Sequence, residues 1–244
     1  EGNIYQGGPF HVFFGCEAGP IEVSGFISSN TTWIAFSSPY IVTGNIIVNE
    51  GVTLTIEAGV EVKFDAGNSM QIQGKLIAQG TNGNEITFTS NESSPAAGDW
   101  GQIIFTDASV DASFNSSGDY SSGSILKYCT IKYGGGSDQS ASLDLNGAHP
   151  FINYSTIQYS SGNGIYSNNL ADTLKIYNSL ITDNYSDGIL LQGYGKYFIV
   201  NNTISNSAQG VGLSLHSCTY ASIIGNSILN NQSTTIGGGI DCRN

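Results

Sequence analysis

Carboxylates are the side chains in this sequence that could do acid–base chemistry in pairs. Asp183 and Asp187 share one turn, TDNYSDG. Asp144 and Asp241 occupy equivalent positions of the internal repeat described below, with three coils of that repeat between them. A glycosidase needs two carboxyl groups about 5 to 9.5 Å apart, and neither pair predicts that arrangement. Acidic turns can also bind Ca²⁺ through hard oxygen ligands. A solvated acidic turn is the simpler interpretation of Asp183 and Asp187.

Basic and metal-binding side chains are equally dispersed. The lysines available as a lyase base, Lys127, Lys132, Lys175 and Lys196, are scattered, and the only arginine is Arg243. The three histidines, His11, His149 and His216, fall on different coils or outside the repeats described below. The sequence therefore predicts a protein that is not an enzyme and that holds no metal or cofactor.

Tyrosines offer a different chemistry, since an aromatic ring can stack on a sugar while its hydroxyl forms hydrogen bonds. Five of them are candidate sugar-stacking residues: Tyr166, Tyr177, Tyr185, Tyr194 and Tyr197. Tyrosine is also a good strand and turn residue, and this plainer role is the alternative.

Composition limits the class of protein. The chain has 244 residues and a formal net charge of −12, which favours one all-β core and leaves no basic patch for nucleic acid. It contains no run of 18 apolar residues, the length that predicts a membrane-spanning helix. It begins with Glu1, which favours a mature chain whose export signal has been removed. We therefore expect an extracellular or cell-surface protein.

An internal repeat dominates the second half of the chain. When Cys129, Ser155, Asn178, Asn202 and Asn226 are placed in one column, the spacings are 26, 23, 24 and 24 residues. A repeat of this length indicates a solenoid. Alternating apolar and hydroxyl residues follow, as expected for a strand with one buried face. The predicted inward residues of this strand are Ile131, Ile157, Leu180, Ile204 and Ile228.

A second strand repeats in the same register. Its segments are SLDLN, GIYSN, GILLQ, GLSLH and GIDCR, and its predicted inward residues are Leu143, Ile165, Ile189, Leu213 and Ile240. Stacking such coils as parallel strands buries these apolar rows in one core. We predict an all-β fold, a right-handed parallel β-helix with coils of about 22–26 residues. Within it, Asn178, Asn202 and Asn226 are predicted to form a structural ladder of stacked amides.

The first half of the chain carries a family resemblance. The segments SPYIVTGNIIVNEGVTLTIEAGVEVKF, GKLIAQGT, ITFTS and GDWGQIIF resemble the opening coils of right-handed parallel β-helix proteins of the pectate-lyase-like superfold. The resemblance covers roughly residues 33 to 244 and implies the fold. The pectate-lyase-like superfold includes exported and surface proteins of archaea and bacteria, among them lyases, hydrolases, epimerases, adhesins and structural proteins. Fold alone does not choose among these functions.

The N-terminal residues do not join the repeat. We predict an extension at residues 1–40 and the β-helix at residues 41–244. The extension either caps the first coil or is donated as a strand to a neighbouring subunit. Its apolar residues Phe10, Val12, Phe13 and Phe14 are the candidate assembly residues.

Two covalent features are open at this point. Cys218 and Cys242 are 24 residues apart, one repeat length, so they are a candidate disulfide, with isolated thiols as the alternative. Candidate glycosylation sites of the form Asn-x-Ser/Thr are Asn30, Asn91, Asn115, Asn184, Asn201 and Asn231. Asn153 also starts such a motif but falls in a column predicted to point inward.

Together these features predict an exported, glycosylated structural protein. We expect a subunit of an extracellular filament or surface layer that assembles end to end with copies of itself through its termini. The alternative is a carbohydrate-binding adhesin, or a lyase or hydrolase module acting on polysaccharide. Glycans are possible partners in either case.

Overall fold

The computed structural model describes residues 19–136, 141–234 and 237–243. These residues form 26 strands and one short 3-10 turn at Ala35–Ser37. In chain order the strands are β1 (Ile21–Ile27), β2 (Thr31–Trp33), β3 (Tyr40–Val48), β4 (Thr53–Ile56), β5 (Glu61–Phe64), β6 (Met70–Ile72), β7 (Lys75–Gln79), β8 (Ile86–Ser90), β9 (Ile103–Phe105), β10 (Ser113–Phe114), β11 (Tyr120–Ser122), β12 (Ile125–Lys127), β13 (Cys129–Lys132), β14 (Ala141–Asn146), β15 (Phe151–Asn153), β16 (Thr156–Gln158), β17 (Asn163–Asn168), β18 (Thr173–Tyr177), β19 (Leu180–Thr182), β20 (Ile189–Gln192), β21 (Lys196–Val200), β22 (Thr203–Ser205), β23 (Leu213–His216), β24 (Tyr220–Ile224), β25 (Ser227–Leu229) and β26 (Ile240–Arg243).

Three faces of parallel strands enclose the core. Face 1 has the order β2-β4-β7-β12-β15-β18-β21-β24. Face 2 has the order β5-β8-β13-β16-β19-β22-β25, and face 3 has the order β6-β9-β14-β17-β20-β23-β26. The long strand β3 joins faces 2 and 3, because its first half pairs with β5 and its second half with β6. Each coil thus contributes one strand to every face, and the predicted parallel β-helix is confirmed.

The core is the set of apolar rows that run along the axis. The predicted inward row of face 3 is confirmed for Leu143, Ile165, Ile189 and Leu213, which are paired in register and fully buried. Ile240 continues the row on β26, where it is 48% exposed. Aromatic residues fill the core of the earlier coils, where the rings of Phe64 and Trp100 stack with centroids 4.2 Å apart. Each such row buries side chains that one coil could not cover by itself.

The predicted inward row of face 2 is wrong at one position. Leu180 pairs with Thr156 and Thr203 on the outer side and is 37% exposed, whereas Ile181 is fully buried. The predicted column placed Asn178 after Ser155, a spacing of 23 residues. In the structure Ser179 occupies that position, a spacing of 24, so the strand that follows is shifted by one residue.

The predicted domain boundary also shifts. Strands β1 and β2 lie within the predicted extension, yet β1 pairs in parallel with β3 and β2 pairs in parallel with β4. Their backbones therefore belong to the same stack of strands as the later coils. Residues 21–33 form a first coil of the β-helix, and the candidate assembly residues Phe10, Val12, Phe13 and Phe14 lie outside the described residues.

One insertion leaves the regular stack. Between β9 and β12 the chain forms the antiparallel hairpin β10-β11, which lies outside the three faces. This is the segment SVDASFNSSGDYSSGS, whose lack of apolar periodicity predicts a loop. In repeat proteins, insertions collect on one side and often form a binding surface.

Candidate functional site

The hairpin β10-β11 depends on an asparagine at its turn and a glycine at its base. The Asn115 side-chain oxygen accepts hydrogen bonds from the backbone N–H groups of Ser117 and Asp119 at 3.0 and 2.9 Å, which closes the turn. At the base of the hairpin, Gly123 has a φ of 96°, and a Cβ there would lie 1.9 Å from the carbonyl oxygen of Asp111. Glycine is required at that position because any side chain would clash with the backbone of Asp111, where the chain enters the hairpin.

A buried histidine holds the hairpin against the β-helix. Asp111 accepts hydrogen bonds from the backbone N–H of His149 at 2.7 Å and from its Nδ1 at 3.1 Å. The other ring nitrogen, Nε2, accepts from the backbone N–H of Asp172 at 3.0 Å. Because Nε2 is an acceptor here, the ring proton lies on Nδ1, which donates to Asp111. His149 therefore has a structural role that its position in the sequence does not indicate.

An aromatic cluster forms the second attachment of the hairpin. Phe151 contacts Phe114 edge to face at 5.3 Å, Tyr120 in a stacked geometry at 6.1 Å and Tyr177 edge to face at 5.6 Å. The ammonium of Lys175 lies 3.5 Å from the centroid of the Phe114 ring and donates to the carbonyl of Gly118 at 3.3 Å. Burial lowers the pKa of Lys175, although the charge of Asp119 opposes this effect.

A groove of about 330 Å³ lies between the hairpin and the outer surface of face 1. Its floor is a row of four residues in register across adjacent strands, Gln79, Lys127, Asn153 and Tyr177. The hairpin supplies Asp119 and Tyr120, and the remaining lining residues are Gly118, Ile125 and Phe151. We call this the hairpin groove. Its volume falls in the range typical of small-ligand sites.

The hairpin groove combines aromatic rings with hydrogen-bonding groups of both kinds. Burial raises the pKa values of Tyr120 and Tyr177, so both hydroxyls are protonated at neutral pH. Asp119 and Lys127 carry opposite charges, which leaves the lining without net charge. Asp119 is the single carboxylate in the lining, whereas glycoside hydrolysis uses two. This arrangement can bind a polar, uncharged ligand that also has an apolar face.

The predicted asparagine ladder is present in a different register. The ladder has one residue from each of four successive coils: Ser155, Ser179, Asn202 and Asn226. The backbone N–H of each of the first three donates to the side-chain oxygen of the ladder residue in the following coil, at 2.8 to 3.1 Å. Asn178 is not in this ladder. It lies one residue earlier at the corner, has a φ of 49°, and donates to the Asn153 side chain at 3.0 Å.

A second ladder at the next corner contains two of the predicted glycosylation sites, Asn184 and Asn231. The oxygens of Asn184 and Asn231 accept from the backbone N–H groups of Ser160 and Ser207, both at 3.0 Å. Their amide nitrogens donate to the carbonyls of Ile157 and Ile204. A glycan would replace one hydrogen of the amide nitrogen and needs open space around it, and Asn184 is only 1% exposed. Both residues are structural.

The other predicted modification sites fall in open positions. Asn30, Asn91, Asn115 and Asn201 are exposed in the described structure. Asn91 donates to Asp65 at 2.8 Å and Asn115 donates to Asp119 at 3.5 Å, so the amide nitrogen that would carry a glycan has a partner at both positions. Asn30 is engaged through its side-chain oxygen, which accepts from the backbone N–H of Thr53 at 2.8 Å. Asn30 and Asn201 are the better acceptors for a glycan.

The predicted disulfide between Cys218 and Cys242 is not formed, and both thiols are free. The 24-residue spacing is misleading because the last described coil is longer. Cys242 lies opposite Leu215, three residues before Cys218. Burial, together with the nearby Cys218 and Asp241, raises the pKa of Cys242.

The candidate acidic pair on face 3 does not come together. Asp144 and Asp241 lie on the outer side of face 3, four strand spacings apart. At about 4.8 Å per spacing this is roughly 19 Å, too far for one glycosidic bond. Burial raises the pKa of Asp144 to about 6, and its Oδ1 has no hydrogen-bond partner among the described residues.

The acidic turn is occupied by its own hydrogen bonds. Asp183 accepts from Asn206 and Thr182 at 3.1 and 2.9 Å, and Asp187 accepts from the backbone N–H of Val211 at 2.7 Å. Across the described ranges, no group of three or more His, Cys, Asp or Glu residues is arranged to hold a metal.

The candidate tyrosines have different environments. Tyr177 lines the hairpin groove, whereas Tyr197 is fully buried and donates to the carbonyl of Gly193 at 2.8 Å. Tyr166 donates to the Gln192 side chain at 3.3 Å on face 3. Tyr185 and Tyr194 are exposed and lie outside the hairpin groove. Tyr120 and Phe151 also line the groove, and the sequence carries no signal for them because their roles depend on how the hairpin folds back.

Two family models match the chain. The pectate-lyase like β-helix domain matches residues 25–178, and the right-handed β-helix region matches residues 113–244. Each match covers more than half of the chain. The chain belongs to the pectate-lyase-like β-helix family. No curated protein and no solved structure matches it significantly.

Membership of the pectate-lyase-like β-helix family has limited consequences for function. The fold is consistent with surface and carbohydrate-related proteins, and proteins of this family are often extracellular. In the part of the chain that the structure describes, no helix is long and apolar enough to cross a membrane. The fold by itself does not determine which function this chain has, because proteins with this fold differ in the residues of their sites.

Proposed function

We propose that this protein is an extracellular carbohydrate-binding β-helix protein that holds a neutral sugar in the hairpin groove. The observation that carries this proposal is the composition of the groove. The rings of Tyr120, Phe151 and Tyr177 line a space that also contains the polar groups of Lys127 and Asn153. Sugars have hydroxyls that donate and accept hydrogen bonds around a ring whose C–H faces are apolar. Such a ligand matches both parts of the lining.

Charge favours a neutral sugar over an acidic one. The chain carries a net charge of −12, so a polyanion approaching the protein would meet a surface of like charge. Inside the groove, Asp119 and Lys127 balance each other. A hydroxyl can donate to the carboxylate and accept from the ammonium, so one uncharged ligand can use both groups.

Binding to immobilised polysaccharides tests this function. We expect the protein to be retarded in gels that contain neutral glucan, xylan or mannan, and not in gels that contain polygalacturonate. Tyr177→Ala should weaken retardation about tenfold because it removes a groove ring, and Lys127→Ala should weaken it although every ring of the groove is retained. Tyr194→Ala is the matched control, since Tyr194 is 77% exposed and outside the groove. Equal effects of Tyr177→Ala and Tyr194→Ala would exclude the groove as the site.

A second candidate function is end-to-end assembly into a filament or surface layer. Its supporting observation is a group of exposed apolar residues on the last described strands, where Ile224 is 60%, Leu229 is 52% and Ile240 is 48% exposed. Ile240 belongs to an inward row, so a strand stacked on β26 would bury it. A second copy could supply such a strand by parallel addition.

Truncation and mutation distinguish the two forms of the assembly hypothesis. If Phe10, Val12, Phe13 and Phe14 are donated to a neighbour, a chain that begins at Gly15 should keep its β-rich circular dichroism but remain monomeric in light scattering. If assembly uses the last strands instead, the same chain should still form filaments and Ile240→Asp should prevent them. A full-length protein that stays monomeric under the electron microscope at high concentration would exclude both.

A further inference from the structure

Four tyrosines occupy unusual backbone positions at the two edges of face 2. Tyr128 and Tyr154 lie at the corner between faces 1 and 2, with φ values of 49° and 50°. Tyr133 and Tyr159 lie at the corner between faces 2 and 3, with φ values of 68° and 56°. Positive φ is uncommon for a residue with a bulky side chain.

The rest of each column shows what the fold itself prefers. At the first corner the following coils have Asn178 and Asn201 with φ values of 49° and 57°, and at the second they have Asp183 and Asn206 with φ values of 56° and 58°. Asn and Asp tolerate this conformation best among residues with side chains. The tyrosines are therefore not needed to make the corners, and strained residues of this kind concentrate at functional sites.

The tyrosine rings form two flat pairs. Tyr128 and Tyr154 stack with centroids 4.9 Å apart and planes 7° apart, and Tyr133 and Tyr159 stack at 5.3 Å and 12°. Tyr154 is 46% and Tyr159 is 38% exposed. The two corners are five residues apart along β13, which is roughly 16 Å in an extended strand.

The first pair adjoins the hairpin groove. The ammonium of Lys127, which lines that groove, lies 5.7 Å from the centroid of the Tyr128 ring. From there a shallow depression extends onto the outer side of face 2, lined by Tyr128 and Tyr154, by the hydroxyl residues Thr130 and Thr156, and by the exposed side chain of Leu180. The surface beside the first tyrosine pair therefore combines hydroxyl groups with an apolar side chain.

The second pair opens into another groove. It has a volume of about 480 Å³ and is lined by Tyr133, Tyr159 and Tyr185, with Pro95 on its wall and Asn206 among its polar groups. We call the path from the hairpin groove over the two pairs to this space the tyrosine track. It runs around the β-helix, along the strand direction, rather than along the axis.

We propose that the tyrosine track binds a long neutral polysaccharide, so that the protein recognises internal stretches of a polymer and not a free sugar or a chain end. This inference rests on the proposed function of the hairpin groove and extends it to a second set of residues. Flat, paired rings suit stacking with successive sugar rings, and the threonine hydroxyls between them can hydrogen-bond to sugar hydroxyls. The balanced charges of the hairpin groove and the net charge of −12 favour an uncharged polymer.

Calorimetric titration with an oligosaccharide series tests the track. The probes are disaccharide to octasaccharide fragments of the neutral polysaccharide that binds most strongly in gels. We expect affinity to rise with length, because longer fragments reach the tyrosine pairs. Tyr154→Asn and Tyr159→Asn are suitable variants, since Asn already occupies the same columns in later coils and fits the positive φ. Each variant should weaken octasaccharide binding about three- to tenfold and leave disaccharide binding unchanged.

The outcomes separate the track from the groove. If wild-type protein binds the disaccharide as tightly as the octasaccharide, or if both Tyr→Asn variants bind the octasaccharide normally, the tyrosine track is refuted while the groove stands. If Tyr177→Ala fails to weaken the disaccharide, the groove is refuted. Wild-type protein that binds no member of the series refutes both proposals. Melting curves of the two Tyr→Asn variants should match that of the wild type. A loss of binding would then result from the missing tyrosine ring and not from a less stable fold.

Discussion

The side-chain amide of Asn202 donates a hydrogen bond to the side-chain oxygen of Asn226 in the next coil, at 3.0 Å. The same amide donates to the carbonyl of Ile176 at 2.8 Å, and the Asn202 oxygen accepts from the backbone N–H of Ser179 at 2.9 Å. One buried side chain therefore connects three successive coils. Its partners are backbone and side-chain groups that would be costly to leave without a hydrogen bond.

Replacing this residue should destabilise the β-helix. We expect Asn202→Leu to lower the free energy of unfolding by about 1 to 3 kcal/mol, because buried partners in two coils lose their hydrogen bonds. Thr203→Ala, one residue further on the outer side, should cost much less. Urea denaturation of both variants measures the difference. Equal losses would show that the Asn202 contacts contribute nothing particular to stability.

Loss of Asp111 should loosen the hairpin without unfolding the β-helix. Asp111→Ala removes both hydrogen bonds to His149. We expect faster proteolytic cleavage within residues 109–124 and a loss of about 1 to 2 kcal/mol in unfolding free energy. Asp172→Ala is the control, since only the backbone N–H of Asp172 contacts His149. Limited proteolysis followed by mass spectrometry reads the result, and identical cleavage in both variants would contradict the proposed attachment.

The carboxyl of Asp144 should make stability depend on pH. Burial raises its folded-state pKa to about 6, above the ordinary value of 3.8 for an aspartate. The folded state therefore binds more protons than the unfolded state between about pH 4 and pH 6, and the free energy of unfolding falls as pH rises through this window. Since Asp144 is partly exposed, we expect a loss of only about 1 to 2 kcal/mol.

Asp144→Asn isolates that contribution. The variant should lack this part of the pH dependence and should be more stable than the wild type above about pH 6, by the same amount. Denaturation curves at several pH values provide the comparison. If the difference between the two proteins does not change across the window, the raised pKa of Asp144 is refuted.

Glycosylation should follow exposure and hydrogen bonding. In native material we expect sugar on at least one of Asn30, Asn91, Asn115 and Asn201, with Asn30 and Asn201 preferred, and none on Asn184. Peptide mapping and intact mass test this, the bare chain being 25.7 kDa. A native mass equal to that value would remove the hypothesis, and a glycan on Asn184 would contradict the buried ladder.

Much of the fold could be predicted because two sequence signals share one physical cause. Stacked coils require both the repeat of about 24 residues and the alternation of apolar and hydroxyl residues within each strand. The one-residue error at Asn178 shows the limit of these signals. Asn178 and Ser179 are both polar and Leu180 and Ile181 are both apolar, so two registers fit the pattern equally well. Only the contacts with neighbouring coils select Ser179 for the ladder.

The candidate site was largely hidden from the sequence. The hairpin groove depends on how an aperiodic loop folds back on face 1, and Phe151 takes part only because Phe114 and Tyr120 are brought to it. The tyrosine pairs did carry a signal. Tyr128 and Tyr154 fall in the column of Asn178 and Asn201, where residues tolerant of positive φ recur. When the coils are aligned, tyrosine stands in the earlier coils where later coils have asparagine. A bulky residue at such a position is unusual and therefore marks it.

The parallel stacking of coils has a mechanical consequence. Hydrogen bonds between neighbouring strands lie nearly along the axis of the β-helix, and the chain advances along that axis from β3 to β26. A pulling force applied along the axis through residues 40 and 243 therefore loads the bonds of one terminal coil at a time. We expect such tension to peel the molecule coil by coil at low force, with extension steps of about 24 residues. A force across the axis would instead be shared by many coils.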